Sequence, residues 1–71
     1  MSFNYRKLKG RIVEMCGTQA AFAARLKISE RSISLKLNSL VPWKQSEIAN
    51  ACKILEIADS EIAAYFFTSE V

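Results

Sequence analysis

Apolar residues recur at intervals of three and four along most of the chain, the stripe of amphipathic helices packed on a common core. Tyr5, Leu8, Ile12 and Met15 form the first stripe, with Arg6, Lys7 and Arg11 on the opposite face. Ser2 or Asn4 can cap its start, Gly10 inside it allows close approach of another helix, and Gly17 is a C-terminal stop. Thr18 is a good N-cap for a second helix whose inward face is Phe22, Ala23 and Leu26. A short turn, Lys27-Ile28-Ser29, follows, with Ile28 plugging the core and Ser29 capping a third helix that buries Ile33 and Leu37. Glu30 in the first turn suits the positive end of that helix dipole. Residues 38–43 read as a loop. A fourth helix carries Ile48, Cys52 and Leu55 with Ala49 beside them, and neither Trp43 nor Lys44 is a preferred cap for it. Asp59 or Ser60 caps a fifth, with Ile62, Ala63 and Phe66 inward, and Tyr65-Phe66-Phe67-Thr68 either finishes it or forms an extended tail.

The pattern predicts an all-α, compact five-helix domain spanning residues 1–71. Residues 18–38, TQAAFAARLKISERSISLKLN, have the shape of a helix-turn-helix: two short helices joined by a tight turn, the second presenting polar and basic residues outward. The chain of 71 residues makes one small domain, burying only about 60% of the surface its unfolded chain exposes. Hydrophobic residues make up 51%, enough for a helical core, and one proline with two glycines leaves little room for a loop-rich fold.

Charge is distributed unevenly. Residues 1–44 hold nine basic and two acidic side chains, a balance of +7, whereas residues 45–71 balance at −4. The positive half contains the helix-turn-helix, an arrangement that suits a polyanion on one side and a different partner on the other. No histidine is present, and Cys16 and Cys52 form no CxxC pair, so neither a metal site nor a cofactor is expected and the cysteines read as free thiols in a reducing compartment. The absence of histidine also leaves the thiols without an obvious general base, and the carboxylates are scattered, which argues against an enzyme. No apolar run approaches a membrane span and no signal-peptide pattern is present, so a cytoplasmic protein is expected.

Thr18, Gln19, Phe22, Ala23, Leu26, Ile28, Ser29, Ser32, Ile33, Ser34, Leu37 and Asn38 match the motif of the phage Cro/repressor-type helix-turn-helix proteins, with Lys27 at the motif's glycine position. With the following WKQSEI and the terminal EIAAYFF, the chain resembles small Cro-like regulators of phages of Gram-positive hosts, some of which modulate the lysogeny repressor. Two positions depart from the family pattern. Lys27 stands where glycine is usual, at a turn that often needs φ > 0. Lys36 stands where many relatives have an apolar core residue, a role Leu37 can take.

The resemblance implies that the third helix enters the major groove of a DNA operator. Ser29, Glu30, Arg31, Ser34 and Leu35 are then the candidates for base readout. Arg31 suits a bidentate contact to guanine, worth ~1–3 kcal/mol of discrimination. Glu30 either accepts from cytosine, pairs with Arg31, or serves the helix dipole alone; Leu35 either packs on a thymine methyl or stays in solvent. The resemblance places Gln19 against a phosphate at a helix N-terminus. Lys27, Lys36, Asn38 and Lys44 are the other candidate phosphate contacts. Leu40, Val41, Trp43, Tyr65 and Phe67 exceed what so small a core needs and mark a candidate partner interface; the alternative is that they close the core around the loop. Two functions follow: a homodimeric operator-binding repressor, with half-sites about 34 Å apart, or an antirepressor that binds the phage lysogeny repressor directly. No small-molecule ligand is expected.

Overall fold

The computed structural model describes residues 3–68. Its helices are α1 (Arg6–Cys16), α2 (Gln19–Leu26), α3 (Glu30–Leu37), α4 (Gln45–Leu55) and α5 (Ile62–Phe66), with a 3₁₀ turn at Asp59–Glu61 leading into α5. Each is too short to be stable alone, so the fold depends on the shared burial of their apolar faces. α1 packs on α2, α4 and α5, and α2 packs on α3 and α4. Leu8, Ile12, Phe22, Ile33, Leu55 and Phe66 are fully enclosed at the centre, as the spacing of the stripes requires.

Local chemistry sets the helix ends. The Thr18 hydroxyl accepts from the Ala21 amide at 3.0 Å, and the Ser29 hydroxyl accepts from the Ser32 amide at 3.0 Å. These bonds satisfy amides that have no partner inside the helix. Gly17, at φ 88°, ends α1. Lys27, at φ 62°, ends α2 in the left-handed region; its amide and that of Ile28 bond back to Ala24 and Ala23. Ser39, also at φ 62°, ends α3 by the same device, with the Ser39 amide on Lys36 and the Leu40 amide on Leu35. This is the Schellman arrangement, in which the amide of the left-handed residue and that of the residue after it reach back into the last turn.

Several expectations change. A side chain at Gly10 would meet nothing within 4 Å, so no helix approaches there. Asn4 receives the Arg6 amide at 2.8 Å, and Ser2 lies outside the described residues. Ala51 is buried and Ala49 is exposed, because the core-facing stripe of α4 runs Ile48, Ala51, Cys52, Leu55. In α5 it is Tyr65 and Phe66 that are buried, whereas Ala63 is exposed. The helix ends at Phe66, and the Thr68 carbonyl then accepts from the Asn4 amide at 2.7 Å, tying the segment after α5 to the segment before α1. Arg11 is not a freely solvated cation. Its guanidinium donates to the Leu55 carbonyl at 2.8 Å and the Glu56 carbonyl at 3.3 Å, caps the C-terminus of α4, and pairs with Glu14 at 2.7 Å. Both cysteines are free, and among the described residues no helix is long and apolar enough to cross a membrane.

Candidate functional site

The outward face of α3 carries Glu30, Arg31 and Ser34, all exposed, with Leu35 half-buried at its edge. Ser29 stands at the head of the same helix. Its hydroxyl oxygen is engaged by the Ser32 amide and its proton is directed to the Ser32 hydroxyl at 2.9 Å. Its capping role therefore uses the groups a base contact would need. Gln19, half-buried, opens α2, and Lys27 is exposed at the turn between the two helices. Asn38 is exposed, but its side-chain amide donates to the Ser34 carbonyl at 2.8 Å and so serves the end of α3. Lys44 is exposed immediately before α4.

Lys36 corrects the expectation of a phosphate contact. It is only 5% exposed, and its ammonium lies 3.1 Å from the Glu47 carboxylate and 3.3 Å from the Pro42 carbonyl. The same Glu47 oxygen accepts the Lys44 amide at 2.8 Å. One carboxylate thus starts α4, which lacks a capping residue at Lys44, and anchors α3 to it. Burial is the largest single influence on Glu47 and opposes its charge. Hydrogen bonds from the Lys44 amide and the Lys36 ammonium, with the positive charges of both lysines, outweigh it and hold the carboxyl below its ordinary pKa.

The five residues expected at a partner interface divide. Tyr65 belongs to the core, with the Lys7 ammonium 4.7 Å from its ring centre, which corrects its assignment to an interface. Trp43 is half-buried, packed edge-on to Phe66 at 5.2 Å and tilted to Tyr5 at 6.4 Å. Val41 is half-buried, while Leu40 and Phe67 are 71% and 50% exposed. Leu40, Val41, Trp43 and Phe67, together with Phe3, Pro42 and others, line one apolar cavity of about 250 Å³. Phe3 is not among the residues that the sequence marks for this face. It lies before α1, outside every helical stripe, yet its ring meets Phe67 at 5.8 Å and Tyr5 at 6.3 Å. An aromatic residue without a stripe to join was the available signal.

A second, polar cavity of about 240 Å³ adjoins the first and shares Phe3, Tyr5 and Ser39 with it; Arg6, Lys9, Asn4 and Asn38 are among its lining residues. The Ser39 hydroxyl donates to the Phe3 carbonyl at 3.1 Å, forming part of the ridge between the two. No carboxylate among the described residues lines either cavity.

The family described as "Protein of unknown function (DUF739)" matches residues 1–69. No curated protein matches the chain. Among solved structures, the chain is similar to the solution structure of the modulator of repression of the temperate bacteriophage TP901-1 from Lactococcus lactis. The TM-score is 0.83 at 48% identity, over 100% of this chain and 96% of that one.

Proposed function

The chain belongs to that family of unknown function, and we propose that it modulates phage repression by binding a lysogeny repressor directly and altering the repressor's hold on DNA. The observation that carries this reading is the 48% identity, over the whole length, with a protein named a modulator of repression. Two features of this chain support it. Exposed Leu40 and Phe67 border an apolar cavity of the kind that protein partners fill. The exposed carboxylates Glu56, Asp59 and Glu61 in the acidic half of the chain complement the basic surface by which a repressor grips DNA. The complex forms in the cytoplasm of the host cell.

The test is to mix the purified protein with the repressor of the same phage. Light scattering after gel filtration reports a mixed complex, and mobility shift of the operator reports repressor occupancy. A stable complex with changed occupancy is expected. No complex, together with selective operator binding by this protein alone, would overturn the reading.

A second reading is favoured by the exposed row of Glu30, Arg31 and Ser34, with Gln19 and Lys27 nearby in the basic half. In it the chain is a Cro-like, homodimeric helix-turn-helix repressor with α3 in the major groove. Under that reading Arg31→Ala lowers operator affinity by ~1–3 kcal/mol, read by fluorescence anisotropy at two salt concentrations. Unchanged affinity would remove Arg31 as a base reader.

A further inference from the structure

We propose that the two adjoining cavities form one composite docking groove, and that its occupant is an acidic amphipathic helix of the repressor. The inference rests on the modulator reading above and adds a contact on the basic side of the chain, distinct from the one its acidic half makes. The apolar cavity accommodates side chains rather than a drug-sized ligand: at about 250 Å³ it lies below the usual range for small-molecule sites. Its borders are already apolar and exposed, with Leu40 at 71% and Phe67 at 50%, so an apolar side chain seated there removes both its own surface and theirs from water.

The neighbouring cavity sets the charge of the occupant. Arg6 and Lys9 are exposed on its wall beside Asn4 and Asn38, across the Phe3–Ser39 ridge from the apolar cavity. An apolar anchor in one cavity therefore places the next turn of the occupant opposite two cations that have no carboxylate in the wall with them. Residues three or four apart on a helix lie about 5–6 Å apart, a spacing that carries one apolar and one acidic side chain over such a ridge. A helix is the fitting element because it carries an apolar anchor and a carboxylate on one face at that spacing, the helix-in-groove mode of docking. A second copy related by two-fold symmetry is disfavoured. It would bring Arg6 and Lys9 of both copies to the same interface, where like charges repel.

The experiment uses the full chain, labelled with ¹⁵N and titrated with the purified repressor of the same phage. Trp43, the only tryptophan, stands in the groove wall and gives both an indole resonance and a fluorescence signal. Expected are shifts concentrated at Phe3, Ser39, Leu40, Trp43 and Phe67. Leu40→Asp, at a position too exposed to affect folding, should weaken the complex about tenfold or more. Arg6→Glu with Lys9→Glu should weaken it about tenfold at low salt and less at high salt. If the repressor binds but these variants bind like the unaltered protein, the groove is not the site and the modulator reading stands. Failure of the unaltered chain to bind overturns both. A concentration-dependent dimer of the chain alone that Leu40→Asp dissolves would assign the groove to a second copy and overturn the acidic helix.

Discussion

Replacing Lys36 with methionine should destabilise the domain by about 3 kcal/mol, even though methionine fills similar space and is apolar. The reason is the partner left behind. The Glu47 side chain is 13% exposed and faces the Lys36 ammonium at 3.1 Å. Removing one member of a buried ion pair costs about 3–5 kcal/mol, because the remaining charge is desolvated without compensation. Glu47 keeps its bond from the Lys44 amide, which places the expectation at the lower end. At roughly 0.05–0.15 kcal/mol per residue the whole domain has about 4–11 kcal/mol to lose, and about 3 kcal/mol lowers the melting temperature by about 12–24 °C. Adding Glu47→Gln keeps an acceptor for the Lys44 amide and removes the stranded charge. The double variant should therefore lie within about 1 kcal/mol of the original protein.

Urea unfolding of the four proteins, followed by circular dichroism and Trp43 fluorescence, measures the coupling. The pH dependence supplies a second check. In the unaltered protein Glu47 is held below its ordinary pKa, so the folded state binds fewer protons than the unfolded one near that range. The stabilisation is complete above the unfolded pKa and is lost as pH falls through the folded one. Without Lys36, burial dominates and the folded pKa rises instead. The penalty of Lys36→Met should then be larger at neutral pH than at about pH 4. A cost below about 1 kcal/mol for the single variant, or strict additivity in the double, would refute the ion pair as a structural element.

Gly10→Ala should stabilise the protein by about 0.5–1 kcal/mol in thermal melts, since Gly10 lies within α1 with open space around it; a lower melting temperature would mean the glycine is needed. Lys27→Gly should raise stability by up to about 1 kcal/mol, because the residue sits at φ 62° where a side chain is strained. The same change removes a cation from the face beside α3, so a loss of operator affinity accompanying the gain would favour the DNA-binding reading. Cys52 is buried, and burial together with the Asp59 charge raises its thiol pKa. Iodoacetamide should therefore label half-buried Cys16 first and Cys52 only on unfolding; equal labelling in the folded protein, read by mass spectrometry, would contradict that packing.

Features set by neighbouring residues were legible in the sequence. Thr18, Ser29 and Gly17 act on amides or carbonyls within four residues, so their chemistry does not depend on the rest of the fold. The stripes on α1, α2 and α3 were equally plain. Long-range partners were not. Arg11 reads as a surface cation until α4 brings the Leu55 carbonyl, 44 residues away, within 2.8 Å. Lys36 reads as a phosphate contact although it stands where relatives of the resembled family have an apolar core residue, and nothing in its local sequence reveals that Glu47 faces it inside. On α4, Ala51 and Ala49 flank opposite sides of the same stripe, and the sequence does not choose between them because small residues weight a helical face only weakly. Within the candidate site, the row Glu30, Arg31, Ser34 was readable, while the contribution of Phe3 to the groove depends on how the segment before α1 crosses the end of α3.

The exposure of Leu40 follows from constraints on both sides of it. Ser39 adopts φ 62°, a conformation that disfavours a side chain, and bonds through its hydroxyl to the Phe3 carbonyl. On the other side, Lys36 holds the Pro42 carbonyl and Glu47 fixes the start of α4. The loop is thereby pinned at Ser39 and again at Pro42 to Lys44, and it presents Leu40 outward while Trp43 turns toward Phe66. A loop selected for stability alone would place a polar residue at a site 71% open to water and glycine at the left-handed position. Keeping leucine and serine there, with a buried ion pair behind them, accepts strain and an uncovered apolar side chain. That combination is what a preformed docking surface requires, since a loop ordered in advance loses less freedom when a partner binds.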